Sequence, residues 1–160
     1  MGLGILMHPI AHAVPRPTAR WSWALWLLFM GFTSLSTAQA DIAVVVNANS
    51  PILSMTKTQI ADLYLGRTRT FPNGDVALIF DHQDRNPLRE RFFLALTGLP
   101  QQRIDAYWAR LTFSGRVLPP RSLTDENAML EALRKSSAAI GYIRSPHAHD
   151  NVRVILVLKE

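Results

Sequence analysis

The chain contains no cysteine among its 160 residues. Disulfides and thiolate chemistry are therefore excluded, and the fold must hold by burial and hydrogen bonding alone. With no cysteine after its N-terminal apolar block, a lipoprotein is excluded too. That block, Trp21 to Phe32, is well short of the roughly 20 residues that a bilayer-spanning helix requires. No serine or cysteine nucleophile sits in a recognisable elbow or motif. No internal repeat or low-complexity linker divides the chain. The basic residues are dispersed rather than gathered, which argues against nucleic acid as a partner.

What is present begins with an export pattern. Arg16 and Arg20 precede the apolar block, and Thr33, Ser34, Ser36 and Ala38-Gln39-Ala40 follow it. This is the order of a secretory signal peptide, with Met1 or Met7 as its start and cleavage expected after Ala40. Residues 1–40 are thus read as a leader and 41–160 as one small domain in the periplasm or outside the cell, with no stable membrane insertion after cleavage. Removing the leader takes away two arginines and no acid, so the formal charge falls from +5 to +3. A modest positive balance suits anionic ligands or surfaces.

The domain reads as alternating strands and helices. Ile42 to Val46 is a short β-branched run of the kind buried on both faces of a parallel sheet. Thr56 stands three residues before Gln59, a capping-box spacing that opens a helix with Ile60, Leu63 and Tyr64 inward and Gly66 as its stop. Pro72-Asn73-Gly74-Asp75 predicts a turn and Val76 to Phe80 a second strand, placed beside the first. Asn86 and Pro87 suit the cap and first position of a helix that buries Leu88, Phe92 and Leu96 and ends at Gly98. Pro100 opens a further helix with Ile104, Tyr107, Trp108 and Leu111 on one face, and at helical spacing Tyr107, Trp108 and Phe113 read as core. After a loop at Ser114-Gly115 and Pro119-Pro120, Thr124 or Asp125 caps a helix burying Met129, Leu130 and Leu133. Ile140 to Ile143 and Val152 to Leu158 complete the strands. The expected fold is α/β, a mostly parallel central sheet with helices on both faces.

Three segments resemble landmarks of the phosphate-type (type II) periplasmic substrate-binding proteins that serve ABC transporters: Asp41 to Asn47, Asp62-Leu63-Tyr64-Leu65-Gly66-Arg67, and Ser137-Ala138-Ala139-Ile140-Gly141-Tyr142, which is similar to the family's P-G-A-I-G-Y. The resemblance covers nearly the whole chain beyond residue 40 and implies one lobe of that fold, a short member without its second lobe. The family grips phosphate with an R-x-D-G-S-G-T loop that opens a helix. With the family aspartate on Asp84, His82 stands for the arginine, Arg85 and Pro87 for the two glycines, Asn86 for the serine and Leu88 for the threonine. The loop is degenerate.

A helix N-terminus remains a natural anion site, and arginine binds phosphate or carboxylate through paired hydrogen bonds. His82, Asp84, Arg85, Asn86 and Arg89 are therefore the candidate anion-binding residues, beside the plainer reading in which Asn86 and Pro87 only cap the helix. The resemblance implies a non-catalytic solute-binding-like protein contacting phosphate or a related anion, with an ABC transporter or other envelope protein as partner. The alternative is an interaction or sensory-accessory module that has lost solute binding. Asp81, His82 and Asp84 as acid/base groups lack a nucleophile. His147, His149 and Asp150 as metal ligands lack a third histidine at fixed spacing. No cofactor is expected.

Overall fold

The computed structural model describes residues 40–115, 117–145 and 151–159. Residues 1–39, which make up most of the expected leader, and the His147, His149 and Asp150 run lie outside the described residues. In chain order the elements are β1 (Ile42–Asn47), α1 (Lys57–Tyr64), β2 (Leu78–His82), α2 (Pro87–Thr97), α3 (Gln101–Phe113), β3 (Arg121–Leu123), α4 (Glu126–Arg134), β4 (Ala139–Arg144) and β5 (Val152–Leu158).

The five strands form one open sheet in the order β3-β2-β4-β1-β5. It is a mixed sheet. β2 pairs in parallel with both β3 and β4, whereas β1 runs antiparallel to both β4 and β5. The α/β class and the helix cover on both faces hold, and parallel pairing is confined to the β3-β2-β4 half. β1 alternates its side chains between two cores. Ile42, Val44 and Val46 pack with α1, α2 and α3, and Ala43 and Val45 pack with Met129 and Leu133 of α4. That division is why every residue of β1 is buried.

Local signals explain the helix ends. Thr56 and Gln59 form both halves of a capping box on α1. Asn86 accepts from the Leu88 N–H, Pro87 fills the first turn of α2, and Gly98 ends it in the left-handed region with φ of 74°. Asp125 caps α4 by accepting from the Ala128 N–H. Gly141 of β4 is needed for another reason: a Cβ there would collide with the Met129 sulfur, so its lack of a side chain lets α4 lie close on the sheet.

Three expectations are corrected. The second strand begins at Leu78, because the Pro72–Asp75 turn closes a small hairpin in which Thr70 bridges Val76, and Val76 is left 70% exposed. The first and second strands are not neighbours, since β4 lies between them. β3 has no apolar run to announce it and exists through its pairing with Phe80, Asp81 and His82.

Candidate functional site

β2 ends in two polar residues that the fold buries on opposite faces. Asp81 lies toward α2, where its Oδ1 accepts from the Tyr142 hydroxyl at 2.5 Å and the His82 N–H at 2.8 Å. Its Oδ2 accepts from Arg89 Nε at 2.9 Å. Burial pushes the Asp81 carboxyl above the usual carboxylate range, against the opposing pull of Arg89 and the Tyr142 hydroxyl. Tyr142 is raised in turn, first by burial and then by the Asp81 charge. Beneath this pair, Tyr142 stacks on Phe92 with ring centroids 3.7 Å apart, and Tyr64 meets both rings edge-on.

Arg89 is the centre of the cluster. It is 5% exposed and its guanidinium meets three carboxylates: Asp81, Asp105 at 2.8 Å and Asp84 at 3.4 Å. It also lies 5.1 Å over the Phe93 ring. Burial alone would lower its pKa, but Asp81 and Asp105 outweigh burial and hold it above the ordinary arginine value. This charge is neutralised from within the protein.

A cavity of about 730 Å³ opens beside this cluster, where β2 runs into α2 and β3 lies alongside. Of the candidate residues, Asp84, Arg85 and Arg89 line it, together with Asp81, Glu90, Asp105 and Ser122 and the Pro100, Trp108 and Pro119-Pro120 walls. The charged lining is four carboxylates against two guanidiniums. Asp84 and Arg85 are exposed at the loop. Arg85 has φ of 70°, a left-handed conformation that glycine adopts freely and arginine does not. The backbone thus takes a glycine-like conformation at a position that arginine occupies.

The other two candidates are placed differently. Asn86 spends its side-chain oxygen on the Leu88 N–H at 2.9 Å and does not line the cavity. His82 is fully buried, with Nε2 at 3.1 Å from the Tyr142 carbonyl oxygen and Nδ1 without a partner. Burial holds its pKa below the ordinary value, outweighing the Tyr142 carbonyl and the Asp81, Glu126 and Asp125 charges. Asp105 is the site residue that sequence reading missed. It sits on α3, and only the packing of α2 on α3 brings it to Arg89. Its spacing, one position after the inward Ile104, was the sole available signal.

No family model matches the chain, and no curated protein matches it. Among solved structures it is similar to a phosphate ABC transporter substrate-binding protein with bound phosphate from Clostridium perfringens, at 18% identity and a TM-score of 0.60, over 74% of this chain and 45% of that one. An ABC-type phosphate transport receptor from Vibrio cholerae matches at 16% identity and a TM-score of 0.58, over 74% and 46%. The chain spans less than half the length of these neighbours. What the likeness shows is the fold: an open mixed sheet with helices, matching one lobe of a periplasmic binding protein.

Proposed function

We propose that this protein is a non-catalytic, solute-binding-like lobe, exported after removal of residues 1–40, whose cleft at the start of α2 engages a small anion of the phosphate class. The observation that carries this reading is the position of the cleft. It opens past the carboxyl end of β2, beside its parallel neighbour β3, where open α/β sheets place their ligands. Arg85 and Arg89 both line it. The solved neighbours are binding proteins, and the one from Clostridium perfringens holds phosphate, which supports a binding role over a catalytic one.

An entering oxyanion must compete with the protein's own carboxylates. Asp84 is 82% exposed and makes the longest of the three contacts to Arg89, so it is the easiest to displace. Asp105 is 44% exposed and holds more closely. Asp81 stays, being buried and shared with Tyr142. The exposed Arg85 supplies the first contact. Such exchange gives weak, salt-sensitive binding, because the exposed charges are screened. Coupling to an ABC transporter or another envelope protein belongs to the same reading.

A second reading is favoured by the excess of carboxylates in the cleft: an interaction or sensory-accessory module that has lost its solute. Calorimetric and NMR titration with phosphate, sulfate and acetate separates the two. Heat and shifts at Arg85 and the start of α2 are expected for the solute-binding lobe. No response at millimolar anion sinks it and leaves the interaction module.

A further inference from the structure

The turn between α3 and β3 is apolar at its tip and basic around it. Phe113, expected in the core, closes α3 with 97% of its surface exposed, and Leu118 is 77% exposed five residues later. Large apolar side chains left bare at the two ends of one short turn suit a contact surface. From Asp105 to Asp125 the sequence has no acid between, and three arginines, Arg110, Arg116 and Arg121. Arg110 and Arg121 are exposed. Leu118 also borders an apolar cavity of about 280 Å³, with Val76 across it, whose only charged lining is Arg69 and Arg121. The stretch from Arg110 to Arg121 is thus locally basic, although its Pro119-Pro120 end also walls the acidic α2 cleft.

We infer that the α3–β3 turn is a peripheral docking surface for an anionic lipid bilayer, with Phe113 and Leu118 entering the interface and Arg110 and Arg121 on the headgroup phosphates. Apolar side chains beside arginines match that interface in both hydrophobicity and charge, and each arginine near an anionic surface strengthens adsorption about fivefold. Phe113 lines none of the cavities described and stands free of the surface, which suits a fluid bilayer more than a preformed protein pocket. Strand addition fits poorly here, because β3 is three residues long and is preceded by two prolines that donate no N–H. No helix among the described residues is long and apolar enough to cross a membrane.

The absence of cysteine permits a test that reads this turn alone, whatever the N-terminal apolar block does. Phe113→Cys and, as control on the opposite face of the sheet, Glu131→Cys are each labelled with a polarity-sensitive fluorophore in the full chain. Mixed phosphatidylcholine and phosphatidylglycerol vesicles should shift the emission from position 113 to the blue, while pure phosphatidylcholine vesicles leave it unchanged and position 131 does not respond. Adding Arg110→Gln and Arg121→Gln should lower the vesicle affinity by about fivefold per charge lost. The inference is overturned if position 113 stays water-like on anionic vesicles, as it would were a protein the true occupant. It is overturned equally if neutral vesicles or position 131 give the same shift, or if the glutamine pair binds unchanged.

Discussion

Arg89 Nε and Asp81 Oδ2 meet at 2.9 Å with both side chains more than nine-tenths buried, one on α2 and the other on β2. This pair locks the helix that opens the cleft to the strand that ends in it. Asp84 and Asp105 extend the pair outward into solvent. The proposed anion loop is therefore built on an internal ion network, and Arg89, the residue there best suited to hold an oxyanion, also ties α2 to β2.

Removing Arg89 should damage the fold along with any binding. Arg89→Ala leaves the buried Asp81 carboxylate unpaired, a loss of about 3 to 5 kcal/mol. Replacing Arg85 and Arg89 together is therefore expected to lower stability through Arg89. Urea denaturation of Arg89→Ala and of the paired variant Arg89→Met with Asp81→Leu checks it: the single change should be far more destabilising than the pair. Equal midpoints would mean that the network carries no such role.

Arg85 separates binding from folding. Arg85→Gly should stabilise by about 1 kcal/mol, because glycine takes φ of 70° without strain, while removing the proposed first contact for the anion. Thermal unfolding together with phosphate titration reads both effects. A variant that is more stable and still binds would remove Arg85 from the site.

Asp84→Asn with Asp105→Asn should strengthen phosphate binding, since the two carboxylates that compete for Arg89 lose their charge. Calorimetry of this variant beside the natural chain is the measurement. Unchanged or weaker affinity would show that an anion does not reach Arg89.

Phe92→Ala should cost about 3 to 5 kcal/mol. Phe92 is fully buried, stacked on Tyr142 and packed edge-on against Tyr64 and Phe93. An unchanged denaturation midpoint would contradict its place at the centre of the core.

His82 should make the protein acid-sensitive. In the unfolded chain its imidazole takes up a proton near pH 6.5, whereas burial lowers the pKa in the folded protein. The unfolded state then binds more protons as pH falls below 6.5. Stability is fully present above that value and is lost on acidification, by at most about 1.4 kcal/mol per pH unit from this residue. Denaturation midpoints across pH 7 to 5 should fall less steeply in His82→Gln than in the natural chain. Parallel slopes would assign the acid loss to other groups.

Much of this architecture was legible locally. The capping box at Thr56, the Asn86-Pro87 opening of α2 and the β-branched run from Ile42 act through neighbours a few residues away, so their outcome is written in adjacent positions. What followed from long-range pairing was not. Val76 reads as strand and is taken instead by a hairpin; β3 has no pattern of its own and depends on an exposed edge of β2; β1 finds β4 rather than β2 as its neighbour. The same division runs through the site. The sequence alone determined that Asp84, Arg85 and Arg89 would gather at one helix start, because all three lie within a turn and a half of it. Only the tertiary structure decided that His82 faces away into the core, that Asp105 arrives from α3, and that Arg89 is neutralised before any ligand comes. Strand alternation and helix packing set which face each charge occupies, and the partner that settles a buried charge is chosen by proximity in space rather than along the chain.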